Sequence, residues 1–161
     1  MKPVTATVTV PQPREEVYDF LDVLANHEHF TDHFLVDWEL SGPAAGVGAR
    51  ARIRVKSLGP DDRLDMEVVA AERPRTTVEE SVGAKGRRRT RGTYILEPLP
   101  GGGTRVTFEL AWLEAPRSER LLAPITRSVV RRANAKALRR LAEALATAPG
   151  RPGAAGAGTW R

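Results

Sequence analysis

All three histidines of this 161-residue chain lie in one short segment, NHEHFTDHF (26–34). Imidazole nitrogens at such close spacing can ligate zinc or transfer protons near neutral pH. However, His27 and His29 would point in different directions on a helix, no fourth ligand is evident, and the HExxH pattern that adds a general base is absent. We therefore predict no metal and no cofactor. We expect the histidines to form the polar edge of a binding site, with Phe30 and Phe34 as its apolar edge.

Acid–base chemistry inside an apolar cavity is the second possibility, because burial moves a pKa toward neutrality. The candidate acids and bases are His27, His33, Glu80 and Tyr94. Glu80 shares strand parity with Val78 and Val82, so a carboxylate facing inward there must be paired, protonated or functional. The alternative is a bulge that turns it outward. None of the candidates belongs to a recognisable catalytic motif.

Composition excludes several classes of site and partner. The chain has no cysteine, which rules out disulfides, thiolate metal sites and cysteine nucleophiles. The net charge of +5 comes largely from GAKGRRRTRG (83–92) and from the segment 117–140. Such patches attract any polyanion, but the first lies at a strand turn without aromatics for base stacking. We predict no DNA partner and, without a targeting segment or an apolar membrane span, a cytoplasmic protein.

The elements that hold these residues follow from hydrophobic periodicity. VTATVTV (4–10) alternates apolar and polar residues, which predicts a half-buried strand. The next segment has a helical period after Pro13 and acids in its first turn, which predicts a short helix broken near Asn26 into a second. Alternating segments up to residue 114 predict six more antiparallel strands joined by turns.

The period is helical again from Pro116 to about Thr147, with Pro124 expected to kink or restart the helix. The glycine- and proline-rich end predicts a disordered tail at 148–161, after a single domain at 1–147. Only the long helix is large enough to cover the apolar face of a curved sheet. The predicted class is α+β: a seven-stranded antiparallel sheet wrapped around a long C-terminal helix, with two short helices between strands 1 and 2.

This arrangement resembles the START/Bet v 1-like helix-grip superfamily, in particular its bacterial polyketide cyclase/dehydrase and lipid-transport branch. The resemblance covers about residues 4–146. The segments that carry it are VTVPQPREEVYDFLDVLANHEHF, GPAAGVGARARI, TYILEPLPGGGTRVTFEL and LLAPITRSVVRRANAKALRRLAEAL. Many relatives have a tryptophan after the Asn-His pair, where this sequence has Phe30. The resemblance implies a deep apolar cavity between sheet and long helix, which holds lipids, polyketides or similar molecules.

The residues expected to line that cavity are large and apolar, with the indoles and the tyrosine hydroxyl available to orient a ligand. They are Phe30, Phe34, Trp38, Ile53, Val55, Met66, Val78, Tyr94, Phe108, Leu110, Trp112, Ile125 and Val129. For each of them, packing in a filled core is the alternative, since periodicity alone does not distinguish a cavity wall from a packed interior.

Three functional hypotheses follow. The first is a protein that binds or carries a small hydrophobic molecule, and the second is a cyclase, aromatase or dehydratase acting on a poly-β-keto or similar intermediate. The third, which we favour least, is an interaction protein whose arginine-rich helix contacts RNA or an anionic membrane. A fold supports many functions, so the resemblance does not choose among them, and the sequence makes no prediction of the oligomeric state.

Overall fold

Seven antiparallel strands and a long C-terminal helix organise the described residues, which are 1–56 and 62–148 of this computed structural model. The strands are β1 (Val4–Val10), β2 (Leu35–Ser41), β3 (Arg50–Val55), β4 (Arg63–Glu72), β5 (Thr76–Gly83), β6 (Arg88–Pro98) and β7 (Thr104–Glu114). Their order across the sheet is β1-β7-β6-β5-β4-β3-β2. The predicted α+β helix-grip class and the number of strands are confirmed.

Short helices connect β1 to β2, as predicted. They are α1 (Arg14–Asp22), a 3-10 turn (Leu24–His27) and α2 (Glu28–Thr31). Glu15 and Glu16 lie in the first turn of α1, where the positive end of the helix dipole favours acids. The buried face of α1 carries Val17, Tyr18 and Leu21 toward the core.

The C-terminal helical segment is divided into α3 (Arg117–Leu121) and α4 (Ala123–Thr147). Pro124 lies in the first turn of α4, where its missing N–H leaves no hydrogen bond unmade. The proline therefore restarts the helix, which is one of its two predicted effects. All buried residues of α4 lie at or beyond Asn134, so its second half is the part that packs into the core.

The outer face of the sheet carries a ladder of ion pairs between neighbouring strands. Examples are Arg52 with Asp65 at 2.8 Å and Arg91 with Glu80 at 2.6 Å. Exposed pairs of this kind contribute about 1 kcal/mol or less each. No helix of the described chain is long and apolar enough to cross a membrane. Except for Ala148, the tail predicted at 148–161 lies outside the described residues.

Candidate functional site

A cavity of about 370 Å³ lies between the inner face of the sheet and α4. Its volume is within the usual range of small-molecule sites, about 300–1,000 Å³, and its walls are mostly apolar. Larger concavities exist on the outer face and beside α3, but ion-paired or solvated charged side chains line them. The mostly apolar cavity between the sheet and α4 is therefore the candidate site.

Most of the predicted lining residues border this cavity. They are Phe34, Trp38, Val55, Met66, Tyr94, Phe108, Leu110, Trp112, Ile125 and Val129. Ile125 and Val129 differ from the others, because 62% and 53% of their surfaces are exposed. These two residues therefore lie at the open side of the cavity.

Three of the predicted lining residues do not border the cavity. Phe30 is fully buried in the main core, where its ring centre lies 6.5 Å from that of Phe20, so its predicted position at the rim is wrong. Ile53 is fully buried in a second core cluster with Leu24. The prediction for Val78 is wrong for another reason: its side chain lies on the outer face of β5.

The sequence prediction assigned the side chains of β5 to the wrong faces of the sheet, with Val78, Glu80 and Val82 facing inward. Thr77 and Glu79 are buried and Ser81 borders the cavity, whereas Glu80 accepts hydrogen bonds from exposed Arg91 on the outer face. Successive strand residues alternate between faces, so a one-residue error in phase exchanges the two glutamates. The carboxyl group inside the cavity is Glu79, which the sequence reasoning missed.

His27 lies inside the cavity wall and not at its rim, with only 3% of its surface exposed. Its Nε2 donates a hydrogen bond to the carbonyl oxygen of Leu21 at 2.8 Å, and Asn26 Nδ2 donates to that of Phe20 at 2.8 Å. The last carbonyls of a helix lack partners within the helix, so the Asn-His pair caps α1. Since a carbonyl only accepts, the proton of His27 is on Nε2 and Nδ1 is a free acceptor.

The other two histidines lie elsewhere. His29 is exposed, while His33 Nε2 donates to the carbonyl oxygen of Ala133 at 3.0 Å and so ties the start of β2 to α4. His33 does not border the cavity, so the structure separates it from His27. Within residues 1–56 and 62–148, no three histidine, aspartate or glutamate side chains converge as a metal site.

Glu79 and His27 have pKa values that are shifted in opposite directions by burial. Burial raises the pKa of Glu79 to about 8 and lowers the pKa of His27 to about 4. Glu79 Oε2 lies 3.9 Å from His27 Nδ1, too far for a hydrogen bond. At pH 7 both groups are mainly uncharged, so the cavity holds a carboxylic acid as proton donor and an imidazole as acceptor.

Further polar groups line the cavity. Of the residues that border it, Glu79 and Asn134 each have a buried atom without a hydrogen-bond partner, Oε2 and Nδ2 respectively. Tyr94 is 5% exposed, and burial raises its pKa well above the usual value, so it keeps its hydroxyl proton. Gly92 faces Glu79 across the strands, and a Cβ there would approach the Phe108 ring to 2.8 Å and Glu79 Cγ to 3.0 Å. The absence of a side chain at Gly92 makes room for both groups.

An ion-pair cluster joins the sheet to α3 beside the cavity. Arg88 Nε donates to Glu119 at 2.9 Å, and Arg88 Nη1 donates to Asp62 at 3.2 Å. Arg88 and Glu119 both border the cavity, so this cluster forms part of its charged margin. The cavity wall therefore contains two polar regions, one around Glu79 and His27 and one around Arg88 and Glu119.

Sequence comparison supplies the family. The sequence pattern described as "Polyketide cyclase / dehydrase and lipid transport" matches residues 1–146. The chain belongs to this family. Its helix-grip fold agrees with the START/Bet v 1-like superfamily that the sequence resembles. No curated protein matches the chain in sequence.

Solved structures of the same fold come from several sources. A protein of Thermus thermophilus is 20% identical, with a TM-score of 0.69 over 90% of this chain and 97% of its own. DynU16, a putative protein in the dynemicin biosynthetic locus, is 20% identical with a TM-score of 0.64, over 91% of this chain and 48% of its own. Norcoclaurine synthase from Thalictrum flavum is 13% identical with a TM-score of 0.63, over 87% and 86%. At these identities the likeness establishes the fold alone.

Proposed function

We propose that the protein binds one small, largely apolar molecule that carries a hydroxyl or carbonyl group, with this group at the Glu79 end of the cavity. The observation that carries the proposal is the presence of two buried polar atoms without partners, Glu79 Oε2 and Asn134 Nδ2, in a mostly apolar wall. Each unsatisfied buried group costs about 1–3 kcal/mol, which a ligand oxygen can recover.

The state of Glu79 defines the class of ligand further. With its pKa raised to about 8, the carboxyl group is mainly protonated at neutral pH and can donate a hydrogen bond to a neutral oxygen. An anionic ligand group would have to be buried beside it without a counter-charge, which is costly. Lipids and polyketides with hydroxyl or keto groups belong to the favoured class. A related fold that binds small aromatic molecules is norcoclaurine synthase in complex with dopamine and hydroxybenzaldehyde.

The polar anchor is tested by comparing two ligands that differ in one hydroxyl. Displacement of the apolar dye N-phenyl-1-naphthylamine should give at least about tenfold tighter binding of 2-naphthol than of naphthalene, since one satisfied buried group is worth about 1.4 kcal/mol or more. Glu79→Leu should remove this preference and the matched variant Glu80→Leu should keep it. Equal affinities of the two ligands for the unaltered protein would refute the anchor.

A second candidate function, acid–base catalysis on a bound ketone, is supported by the 3.9 Å separation of Glu79 and His27. The Glu79 carboxyl proton moves to the ketone oxygen while His27 Nδ1 takes a proton from the adjacent carbon. The C–H bond breaks, a C=C bond forms, and the products are an enol, a carboxylate and an imidazolium. The reverse steps restore the ketone and both groups.

Catalysis of this kind would exchange ligand protons with solvent. In D₂O, the methyl protons of 2-acetylnaphthalene should exchange faster with the protein than without it, as measured by NMR. General acid–base groups contribute about 10²–10⁴-fold each, so Glu79→Gln should lose most of the acceleration and Glu80→Gln none of it. The absence of any acceleration by the unaltered protein would leave binding without chemistry as the function.

A further inference from the structure

We propose that the open side of the cavity docks onto an anionic lipid bilayer. Docking goes beyond ligand binding, because it involves a partner at the surface that surrounds the cavity opening. That surface consists of an apolar cluster at the junction of α3 and α4 and of the cations that flank it. The apolar cluster is Leu121, Leu122, Ile125 and Val129, hereafter the mouth patch.

The mouth patch is unusually exposed for aliphatic side chains that are close together. The exposed fractions are 83% for Leu121, 55% for Leu122, 62% for Ile125 and 53% for Val129. Leu122, Ile125 and Val129 border the same cavity and Leu121 is the neighbour of Leu122 in the chain, so the four lie close together. Contiguous exposed apolar groups of this kind mark an interaction site.

The mouth patch continues into the cavity. Leu122, Ile125 and Val129 also border the cavity wall, so a molecule leaving the cavity on this side meets the patch first. In an aqueous environment, an apolar molecule partitions into the hydrocarbon layer of a bilayer. Contact between the patch and a bilayer would let such a molecule pass without crossing solvent.

The flanking charges favour a negative surface. Helical spacing of four, seven and eleven residues puts Val129, Arg132 and Lys136 on the same solvent-facing stripe as Ile125. Arg117 and Arg120 are exposed on α3 beside Leu121. Among the described residues, none of these four cations forms an ion pair within the chain, and the one acid of α3, Glu119, is occupied by Arg88.

The combination of exposed aliphatic and cationic side chains favours a bilayer over RNA as the partner. A lipid headgroup layer accepts cations at its phosphates and aliphatic side chains in its hydrocarbon boundary, the arrangement used by interfacial helices. RNA binding uses arginines together with aromatic side chains that stack on bases. The mouth patch contains only leucine, isoleucine and valine, which have no role in base stacking.

Co-sedimentation with vesicles tests the docking. The full chain should be retained on vesicles of phosphatidylcholine containing about 30% phosphatidylglycerol, and much less on phosphatidylcholine alone. A basic side chain near an anionic surface is worth about a fivefold change in partitioning, so Arg117→Gln with Arg120→Gln should weaken retention by about 25-fold. Leu121→Ser should also weaken it. The matched controls, Arg105→Gln on β7 and Val47→Ser in the β2–β3 turn, should not.

Ligand binding in solution separates this proposal from the preceding one. Leu121 does not border the cavity, so Leu121→Ser should bind N-phenyl-1-naphthylamine as the unaltered protein does. Equal retention on neutral and anionic vesicles would overturn the proposal. Loss of retention with the arginine variants but not with Leu121→Ser would overturn it too, as would binding to an RNA oligonucleotide without binding to vesicles.

Discussion

Replacing Glu79 with glutamine should stabilise the protein at alkaline pH and change its stability little in mild acid. The pKa of Glu79 is raised from 4.5 to about 8 by burial. In the unfolded chain this group loses its proton near pH 4.5, whereas the folded protein holds it until about pH 8. The folded state therefore binds more protons between these values, and stability falls as the pH rises through that window. Glutamine has the same shape and cannot ionise.

The size of this effect follows from the shift in pKa. At 1.36 kcal/mol for each unit, ionisation of Glu79 removes as much as about 5 kcal/mol of stability by pH 9. His27 acts in the opposite sense, because its pKa is lowered from 6.5 to about 4 and its contribution is lost as the pH falls through that interval. Between pH 4.5 and 6.5, Glu79 lowers the free energy of unfolding as the pH rises, whereas His27 raises it. The loss above pH 6.5 therefore belongs to Glu79.

Urea unfolding at about pH 4.5, where little of the loss has yet occurred, and at about pH 9 measures the difference. Glu79→Gln should exceed the unaltered protein by several kcal/mol at the higher pH and match it to within about 1 kcal/mol at the lower one. The control is Glu80→Gln, whose exposed ion pairs with Arg91 and Arg89 are worth about 1 kcal/mol or less at either pH. Parallel pH profiles for Glu79→Gln and the unaltered protein would show that Glu79 is not buried as described.

The fold was predictable because backbone geometry imposes its periods on the sequence. Strands repeat every two residues and helices every 3.6, and the long apolar stripe after Pro116 had to cover the sheet. The phase of β5 was not predictable from the same rule, since its apolar residues Val78 and Val82 lie on the outer face. One signal was available: two adjacent glutamates on a strand point to opposite faces, so either Glu79 or Glu80 had to face inward.

The position of His27 could not be read from periodicity. It depends on the capping of α1 by a side chain six residues away and on the approach of Glu79 from a distant strand. The four-residue spacing of Ile125 and Val129 matched the apolar stripe of α4. They remain half exposed because the buried part of α4 begins only at Asn134. The burial of His27 and the exposure of Ile125 and Val129 both depend on how distant elements of the fold are positioned relative to one another. A local sequence pattern does not contain this information.

Filling the cavity should have the largest effect on ligand binding. Ala133 borders the cavity from α4, one residue before Asn134, and an indole at this position would occupy much of the 370 Å³. Ala133→Trp should therefore weaken the binding of a two-ring ligand by at least about 100-fold, while overpacking lowers stability by only about 1–3 kcal/mol. Val130→Trp, on the same wall, is the alternative should the first variant fail to fold.

The matched control is Ala71→Trp, which adds an indole at an exposed position of β4 outside the cavity. Far-UV circular dichroism and the melting temperature establish that each variant is folded.

The most direct test of the central claim is a fluorescence titration of these proteins with N-phenyl-1-naphthylamine, excited where tryptophan does not absorb. We predict saturable binding of one dye per chain to the unaltered protein and to Ala71→Trp, and loss of this binding in folded Ala133→Trp. Unchanged binding to folded Ala133→Trp and Val130→Trp would contradict it, because the ligand would then lie outside the cavity between the sheet and α4.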